Sequence, residues 1–213
     1  MKALFFSAFL LSMMAFSLIM PAAKSKPVVQ SSADSPNLGI VSISASKSVV
    51  GRGCRLSLGI NVTNYWNETE TFNATFYANS TIIQEISNVS VEGQNSTVVS
   101  FKWTTTGFSY GNYSISASIT AAPNETDLSD NSIGDIGVFV TIVGDINGDR
   151  WVDLYDAIIL SGIFGRALEP HIMIYPWYPP VGPFDANADF DDDGTIDIYE
   201  AIILAGHYGQ HWT

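Results

Sequence analysis

The strongest constraint on this chain is a twelve-residue pattern that occurs twice. Asp145-Ile146-Asn147-Gly148-Asp149-Arg150-Trp151-Val152-Asp153-Leu154-Tyr155-Asp156 returns as Asp189-Phe190-Asp191-Asp192-Asp193-Gly194-Thr195-Ile196-Asp197-Ile198-Tyr199-Glu200. In both copies oxygen side chains stand at positions 1, 3, 5, 9 and 12. A hard divalent cation takes about six to eight oxygens, and a tight loop with such side chains on alternate residues turns them inward. The spacing therefore predicts two calcium loops. The first draws its ligands from Asp145, Asn147, Asp149, Asp153 and Asp156, the second from Asp189, Asp191, Asp193, Asp197 and Glu200. Position 7 adds a backbone carbonyl, from Trp151 and Thr195. A solvated acidic surface seldom alternates so strictly, and accident seldom repeats the phase.

The apolar residues repeat as well. Asp-Leu-Tyr-Asp-Ala-Ile-Ile-Leu-Ser-Gly-Ile-Phe-Gly at 153–165 aligns with Asp-Ile-Tyr-Glu-Ala-Ile-Ile-Leu-Ala-Gly-His-Tyr-Gly at 197–209. Unit 144–165 thus recurs at 188–209, across a connector, 166–187, that carries Tyr175, Trp177 and Tyr178. Each unit reads as loop then helix. Neither loop follows a helical pattern: 138–143 is β-branched and strand-like, and 181–187 is rich in Pro and Gly. The reading is half an EF-hand used twice, with Leu154, Ile158, Ile159, Ile163, Ile198, Ile202 and Ile203 as its small core. A core of that size needs the metal, so the unit should lose its order without calcium. At position 6 the second loop has Gly194 and the first Arg150, which reaches positive φ only with strain and brings a cation near the metal. The first site is expected to be the weaker.

This duplication, over the last third of the chain, resembles the type I dockerin, a calcium-dependent module that docks onto cohesin domains. The resemblance implies partner contacts at the tenth and eleventh loop positions, Leu154, Tyr155, Ile198 and Tyr199. Their near-identity would permit docking in two orientations. Read from the residues alone, internal packing of these four is as good an account.

Charge agrees with a metal site. Of a formal −12, the residues from 144 onward hold twelve Asp/Glu against two Lys/Arg, or −10. Such density repels itself unless cations bind, and it disfavours nucleic acid as a partner. One cysteine, Cys54, leaves no internal disulfide.

Residues 1–23 read as a signal peptide: Lys2, an apolar run over 3–20, then Pro21-Ala22-Ala23. Left uncleaved, the run would be the chain's one membrane anchor. Residues 24–37, with Pro27 and Pro36, read as a linker.

The stretch 38–143 has period two throughout. Leu56, Leu58, Ile60 and Val62 alternate with polar residues, as do Phe72, Ala74, Phe76 and Ala78. Val99, Phe101 and Trp103 do the same, then Tyr113, Ile115, Ala117 and Ile119, and last Ile136, Val138, Val140 and Ile142. With a first strand at 40–44 and one or two short ones in 82–91, about seven strands predict an immunoglobulin-like β-sandwich. The fold class is therefore mainly β, a sandwich followed by a small helical calcium module. The order Gly51-Arg52-Gly53, Asn61-Val62-Thr63-Asn64, Gly93, Val-Ser-Phe-Lys-Trp at 99–103, Gly111-Asn112-Tyr113-Ser114-Ile115 and Asp127-Leu128-Ser129-Asp130-Asn131 resembles the CARDB domain of secreted prokaryotic adhesion-type proteins. Asn-x-Ser/Thr sequons stand at Asn61, Asn67, Asn73, Asn79, Asn88, Asn95, Asn112 and Asn124, all within the sandwich.

Nothing in the chain reads as a catalytic constellation. His171, His207 and His211 lack zinc spacing, since Gly209 should end the helix between the last two. Cys54 has no histidine near it in sequence, and the clustered carboxylates belong to the loops. The expected function is a non-catalytic extracellular adaptor or adhesion protein with two calcium ions, docking onto a cohesin-domain or other cell-surface protein. Its rivals are a calcium-stabilised spacer without cohesin binding and a carbohydrate-binding sandwich, for which only Tyr65 and Trp66 offer surface aromatics.

Overall fold

The computed structural model describes residues 24–25, 35–165 and 185–213. The signal-like residues 1–23 and the connector residues 166–184, with His171, Tyr175, Trp177 and Tyr178, lie outside the described residues.

Period-two segments with one apolar face bury that face by pairing two sheets. One sheet has the order β1 (Lys24–Ser25), β2 (Leu38–Ala45), β4 (Arg55–Asn64), β7 (Ser96–Thr104). The other has the order β3 (Val49–Gly51), β9 (Ser132–Thr141), β8 (Gly111–Ile119), β5 (Glu70–Ala78), β6 (Thr81–Val91). All pairs are antiparallel except β3 with β9. The alternation seen in sequence is the alternation of burial. Leu56, Leu58, Ile60 and Val62 are buried, as are Phe72, Ala74, Phe76 and Ala78. Phe76 meets Phe101 edge-on at 4.8 Å between ring centres, a favoured aromatic geometry.

Two strands were hidden from periodicity. β1 falls within the expected linker and pairs Lys24 with Ile43 and Ser25 with Ser42. It uses backbone hydrogen bonds on an open edge, which need no side-chain pattern. β3 is too short to show a period. The region 82–91, in contrast, is one long strand, β6, which follows β5 through two register irregularities.

The duplicated units form α1 (Leu154–Ile163) and α3 (Ile198–His207). Asp153 and Asp197 cap them, each accepting from a backbone N–H two residues on. Asp156 and Glu200 complete reciprocal capping boxes. The second loop does follow a helical turn, α2 (Asp185–Ala188), where the sequence suggested none. Gly209, at φ +82°, ends α3, so His207 bonds the Ile203 carbonyl while His211 stacks on Trp151. The two histidines share no face.

The small core is not the expected one. Leu154, Ile158, Ile198 and Ile202 are 55–61% exposed. Ile159 and Ile203 pack at its margin, and Ile163 alone of the seven is buried. Ile142, Ile146, Val152, Leu160, Ala188, Phe190, Ile196 and Leu204 fill it with Ile163. Four of these, Ile146, Val152, Phe190 and Ile196, lie inside the loops, at positions 2 and 8. The loops turn their oxygens one way and these residues the other, so the core forms between the loops and one face of each helix.

The module sits on one end of the sandwich. Cys54, half-buried, packs against both cores. Trp212, beyond the repeats, stacks on Tyr110 at 5.2 Å and donates its indole N–H to Thr141 Oγ1 at 3.1 Å. The terminal segment also pairs with the first loop, through Val152 N to Gln210 O at 2.9 Å and Trp212 N to Arg150 O at 3.3 Å.

Candidate metal centre

In the second loop, carboxylate oxygens of Asp189, Asp191 and Asp193 all lie within 4.8 Å of one another. Among the described residues no other three Asp, Glu, His or Cys side chains gather in this way. Asp189 accepts from the N–H groups of Asp193 and Gly194, both at 3.2 Å, and Asp191 from Asp193 N at 3.2 Å. Asp193 accepts the N–H and the hydroxyl of Thr195, each at 2.7 Å. Gly194 takes φ +86°, the left-handed turn that position 6 demands.

Glu200 closes this loop and is 1% exposed. Its Oε2 accepts from Asp197 N at 2.8 Å, and its Oε1 is buried with no hydrogen-bond donor. A buried carboxylate oxygen without a partner is costly. The three gathered aspartates are a hard, anionic donor set of the kind calcium takes, and Glu200, which closes the same loop, keeps one buried oxygen without a protein donor. Asp197 spends one oxygen on the cap of α3, leaving the other for a cation or its water. The Thr195 backbone reaches the same turn through its bond to Asp193.

The first loop repeats the trace and spends its oxygens differently. Asp145 Oδ1 accepts from Gly148 N at 2.7 Å and Asp149 N at 3.2 Å; its Oδ2 accepts from Arg150 N at 2.9 Å and the Thr141 hydroxyl at 2.5 Å. The Asn147 amide bonds Asp149 on both sides, and Asp149 also accepts from Trp151 N. Asp156, one methylene shorter than Glu200, turns Oδ1 onto Ile146 N and Asn147 N, at 2.8 and 3.3 Å, and Oδ2 onto Asp153 N at 2.9 Å. No oxygen of this loop is left as Glu200 Oε1 is. Arg150 does sit at φ +79°, and its guanidinium lies 4.9 Å over the Trp212 ring.

Burial pushes the carboxyls of Asp145, Asp156, Asp189 and Glu200 above their ordinary values, against hydrogen bonds that lower them. Lys47 also lowers Asp189. Exposed Asp193 moves down, through its bonds from Thr195.

Four contributors carry no sequence motif. Lys47, Lys102, Asn187 and Asp192 join the second loop to the sandwich. Asp192 was the one visible signal: a charge at a loop position that ligates nothing. The expected partner residues Leu154, Tyr155, Ile198 and Tyr199 are all exposed, which removes the internal-packing account of them. Of the sequon asparagines, Asn61 is half-buried and the other seven are exposed. Tyr65 and Trp66 are half-buried, and no aromatic of the described sandwich residues is exposed. Among the described residues no helix is long and apolar enough to cross a membrane.

Fold and site define a β-sandwich that carries a pair of acidic loop–helix repeats on one end. No family model and no curated protein sequence matches the chain. Among solved structures it is similar to the CARDB domain of a Pyrococcus furiosus protein in complex with di-metal ions: 24% identity, 50% of this chain and 94% of that one, TM-score 0.43. It is also similar to a domain described as that of a cell-surface protein from Methanosarcina acetivorans: 25% identity, 49% and 91% covered, TM-score 0.41. A Paenibacillus glucanotransferase matches at 16% identity over 59% of this chain and 18% of its own, TM-score 0.36. The sandwich rests on its own two sheets, and these likenesses add no function to it.

Proposed function

We propose that the chain is a secreted, non-catalytic adaptor whose sandwich is a CARDB-type spacer and whose C-terminal module is of dockerin type. Calcium neutralises the acidic loops, and the helices offer an apolar face to a cohesin-type partner. The observation that carries this reading is the duplicated exposed set on the helices. Leu154, Tyr155 and Ile158 on α1 correspond to Ile198, Tyr199 and Ile202 on α3, and all six are more than half exposed. Exposed large apolar side chains repeated in register are the usual mark of a protein interface. Asp145, Asp156, Asp189 and Glu200 are buried, and a bound cation would offset the cost of keeping them charged.

Capture of secreted proteins on the full chain, with calcium and with chelator, tests this. A cohesin-bearing protein retained only in calcium is the expected result. The paired change Ile158→Asp and Ile202→Asp should abolish capture and leave calcium binding unchanged. Capture that survives the paired change, or that ignores chelation, would sink the docking reading. Retention of nothing would favour a rigid spacer, which the broad contact between module and sandwich also suits.

The exposed sequon asparagines are proposed glycan acceptors on the sandwich. Intact-mass measurement before and after enzymatic deglycosylation of the secreted chain tests this; an unchanged mass would count against it.

A further inference from the structure

The second loop is held by the sandwich as much as by its own repeat. The contact is made where the chain crosses from one sheet to the other, between β2 and β3. Lys47 stands at that crossing and is buried. Its ammonium donates to the Arg55 carbonyl at 3.0 Å and to the backbone carbonyl of Asp189, and lies 3.5 Å from Asp192 Oδ1. Lys102 on β7 takes the other Asp192 oxygen at 2.5 Å and the Asp192 carbonyl at 3.1 Å. Asn187, two residues ahead of the loop, accepts from Ser48 N and Val49 N at 3.1 Å each and donates to the Ile146 carbonyl of the first loop at 3.3 Å. One buried amide therefore joins the sheet crossing to both loops.

Asp192 occupies position 4, which supplies no ligand, and lies between the gathered aspartates 191 and 193. Its counterpart in the first loop is Gly148, at φ +78°, where an added Cβ would meet Val49 Cγ2 at 3.0 Å and Phe139 Cδ1 at 3.4 Å. Both loops thus turn position 4 to the sandwich, one by charge and one by close packing. The exposed apolar sets lie elsewhere, on the helices.

We infer that the second cation site is a composite of the two units: Lys47, Lys102 and Asn187 are positioning residues for it, and cation binding there stiffens the sheet crossing at Lys47–Val49. The inference rests on the calcium reading of the loop. The coupling follows from geometry. The Asp189 carbonyl and the Asp192 backbone belong to the same turn as the ligating carboxylates, so a cation that fixes the turn also fixes the acceptors of both lysines. Two sites coupled through one element must affect each other equally. A sandwich that cannot grip the loop must therefore bind the cation less well or transmit nothing.

Hydrogen-exchange mass spectrometry on the full chain, with calcium and with chelator, tests this beside calorimetric titration of calcium. The expected result is slower exchange over 185–209 and also at Ser48 and Val49, by about tenfold or more, since those two amides are closed only by Asn187. In the paired variant Lys47→Met and Lys102→Met, calcium should bind less tightly and its effect on Ser48 and Val49, left to Asn187 alone, should shrink, while in Asn187→Ala that effect should disappear and the loop still slow in calcium. Calcium binding with protection confined to 144–213 in the unaltered chain overturns the coupling and leaves the metal reading standing. No calcium binding overturns both. Should the paired variant fail to fold, the unaltered chain alone still decides, and Asn187→Ala supplies the second test by removing the amide bridge without touching either charge.

Discussion

The sharpest consequence of the two loops is a change of sign at Glu200. In the metal-free chain at neutral pH, Glu200→Gln replaces a buried carboxylate whose Oε1 has no donor. The amide keeps an oxygen to accept from Asp197 N. It also removes a charge that Asp191 and Asp197 repel, the two whose charges raise the Glu200 carboxyl after burial has done so. Removing an orphaned buried acceptor is worth about 1–3 kcal/mol, of which side-chain rearrangement will use part. The variant should gain about 1 kcal/mol in chelator, a rise in Tm of roughly 2–4 °C for a chain of this size. In calcium the sign reverses. At about 100 times Kd the unaltered chain gains about 2.7 kcal/mol, and a variant weakened about 100-fold gains only about 0.4 kcal/mol. It should then melt below the unaltered chain. Asp156→Asn gives the contrast. Both Asp156 oxygens accept from backbone N–H groups, and an amide nitrogen cannot replace one of them. That variant should lose about 1–2 kcal/mol with or without calcium. Scanning calorimetry of both variants in chelator and in calcium reads all four outcomes. Equal destabilisation by Glu200→Gln in both conditions would falsify the reading of Oε1 as an unsatisfied acceptor, and a larger loss for Asp156→Asn in calcium than in chelator would show that the first loop holds a cation too.

Trp212→Ala removes the stack on Tyr110, the bond to Thr141 and the seat of Arg150 together. It should cost about 2–3 kcal/mol, below the value for a fully buried tryptophan, and denaturant unfolding will measure it. The pH dependence should also reverse with calcium. In chelator, Asp145, Asp156, Asp189 and Glu200 hold protons more tightly folded than unfolded, because burial raises each. Their contribution is full below the ordinary carboxylate values of 3.8 and 4.5 and is lost as pH rises through the raised folded values. In calcium, protons compete with the cation, so stability should rise with pH over the same window. Parallel melting curves between about pH 4 and pH 7, with and without chelator, should therefore slope in opposite directions. Curves that slope the same way would exclude a cation among these carboxylates.

What could be read from the sequence and what could not divide along a physical line. A period of two reports one buried face, so Leu56 to Val62 and Phe72 to Ala78 were assigned correctly to the core of the sandwich. The two acidic loops were legible because alternate oxygens in a tight turn have few other uses, and in the second loop Asp189, Asp191 and Asp193 do gather. The helix core was not. Leu154, Ile158, Ile198 and Ile202 are as apolar as Leu160 and Leu204, and a helix rich in apolar residues all round gives no sign of which stripe faces inward. The answer lay in the loops, whose Ile146, Val152, Phe190 and Ile196 claim one face of each helix and leave the other to solvent. Nor could spacing show that Lys47 and Lys102 meet Asp192, since no local pattern links residues so far apart in the chain.

The same division accounts for the difference between the two repeats. Their ligand patterns are almost identical, and a motif would treat them as equal sites. The distinction comes from residues outside the pattern. Thr141 ends β9 directly before the first loop and adds a hydroxyl to Asp145, and Asp156 is short enough to close on backbone N–H groups. Both changes satisfy carboxylates from within the protein. The second loop lacks such a donor at Glu200 and instead receives its lysines at Asp192 and at the Asp189 carbonyl, on the side facing the sandwich. A carboxylate satisfied by fixed N–H groups gains less from a cation than one left bare, because its hydrogen bonds must be given up or shared. The first loop should therefore bind a cation more weakly than the second, for reasons that lie in Thr141 and Asp156 more than in Arg150. Arg150→Gly tests this ranking. It relieves a left-handed strain of roughly 1 kcal/mol and forfeits a stacking contact of similar size. Stability should hardly move, and calcium affinity at the first loop should stay low in a titration. Thr141→Val should raise that affinity, because Asp145 Oδ2 loses its hydroxyl donor. If Arg150→Gly alone brings the first loop level with the second, the backbone at position 6 was the cause and the hydrogen-bond account is wrong.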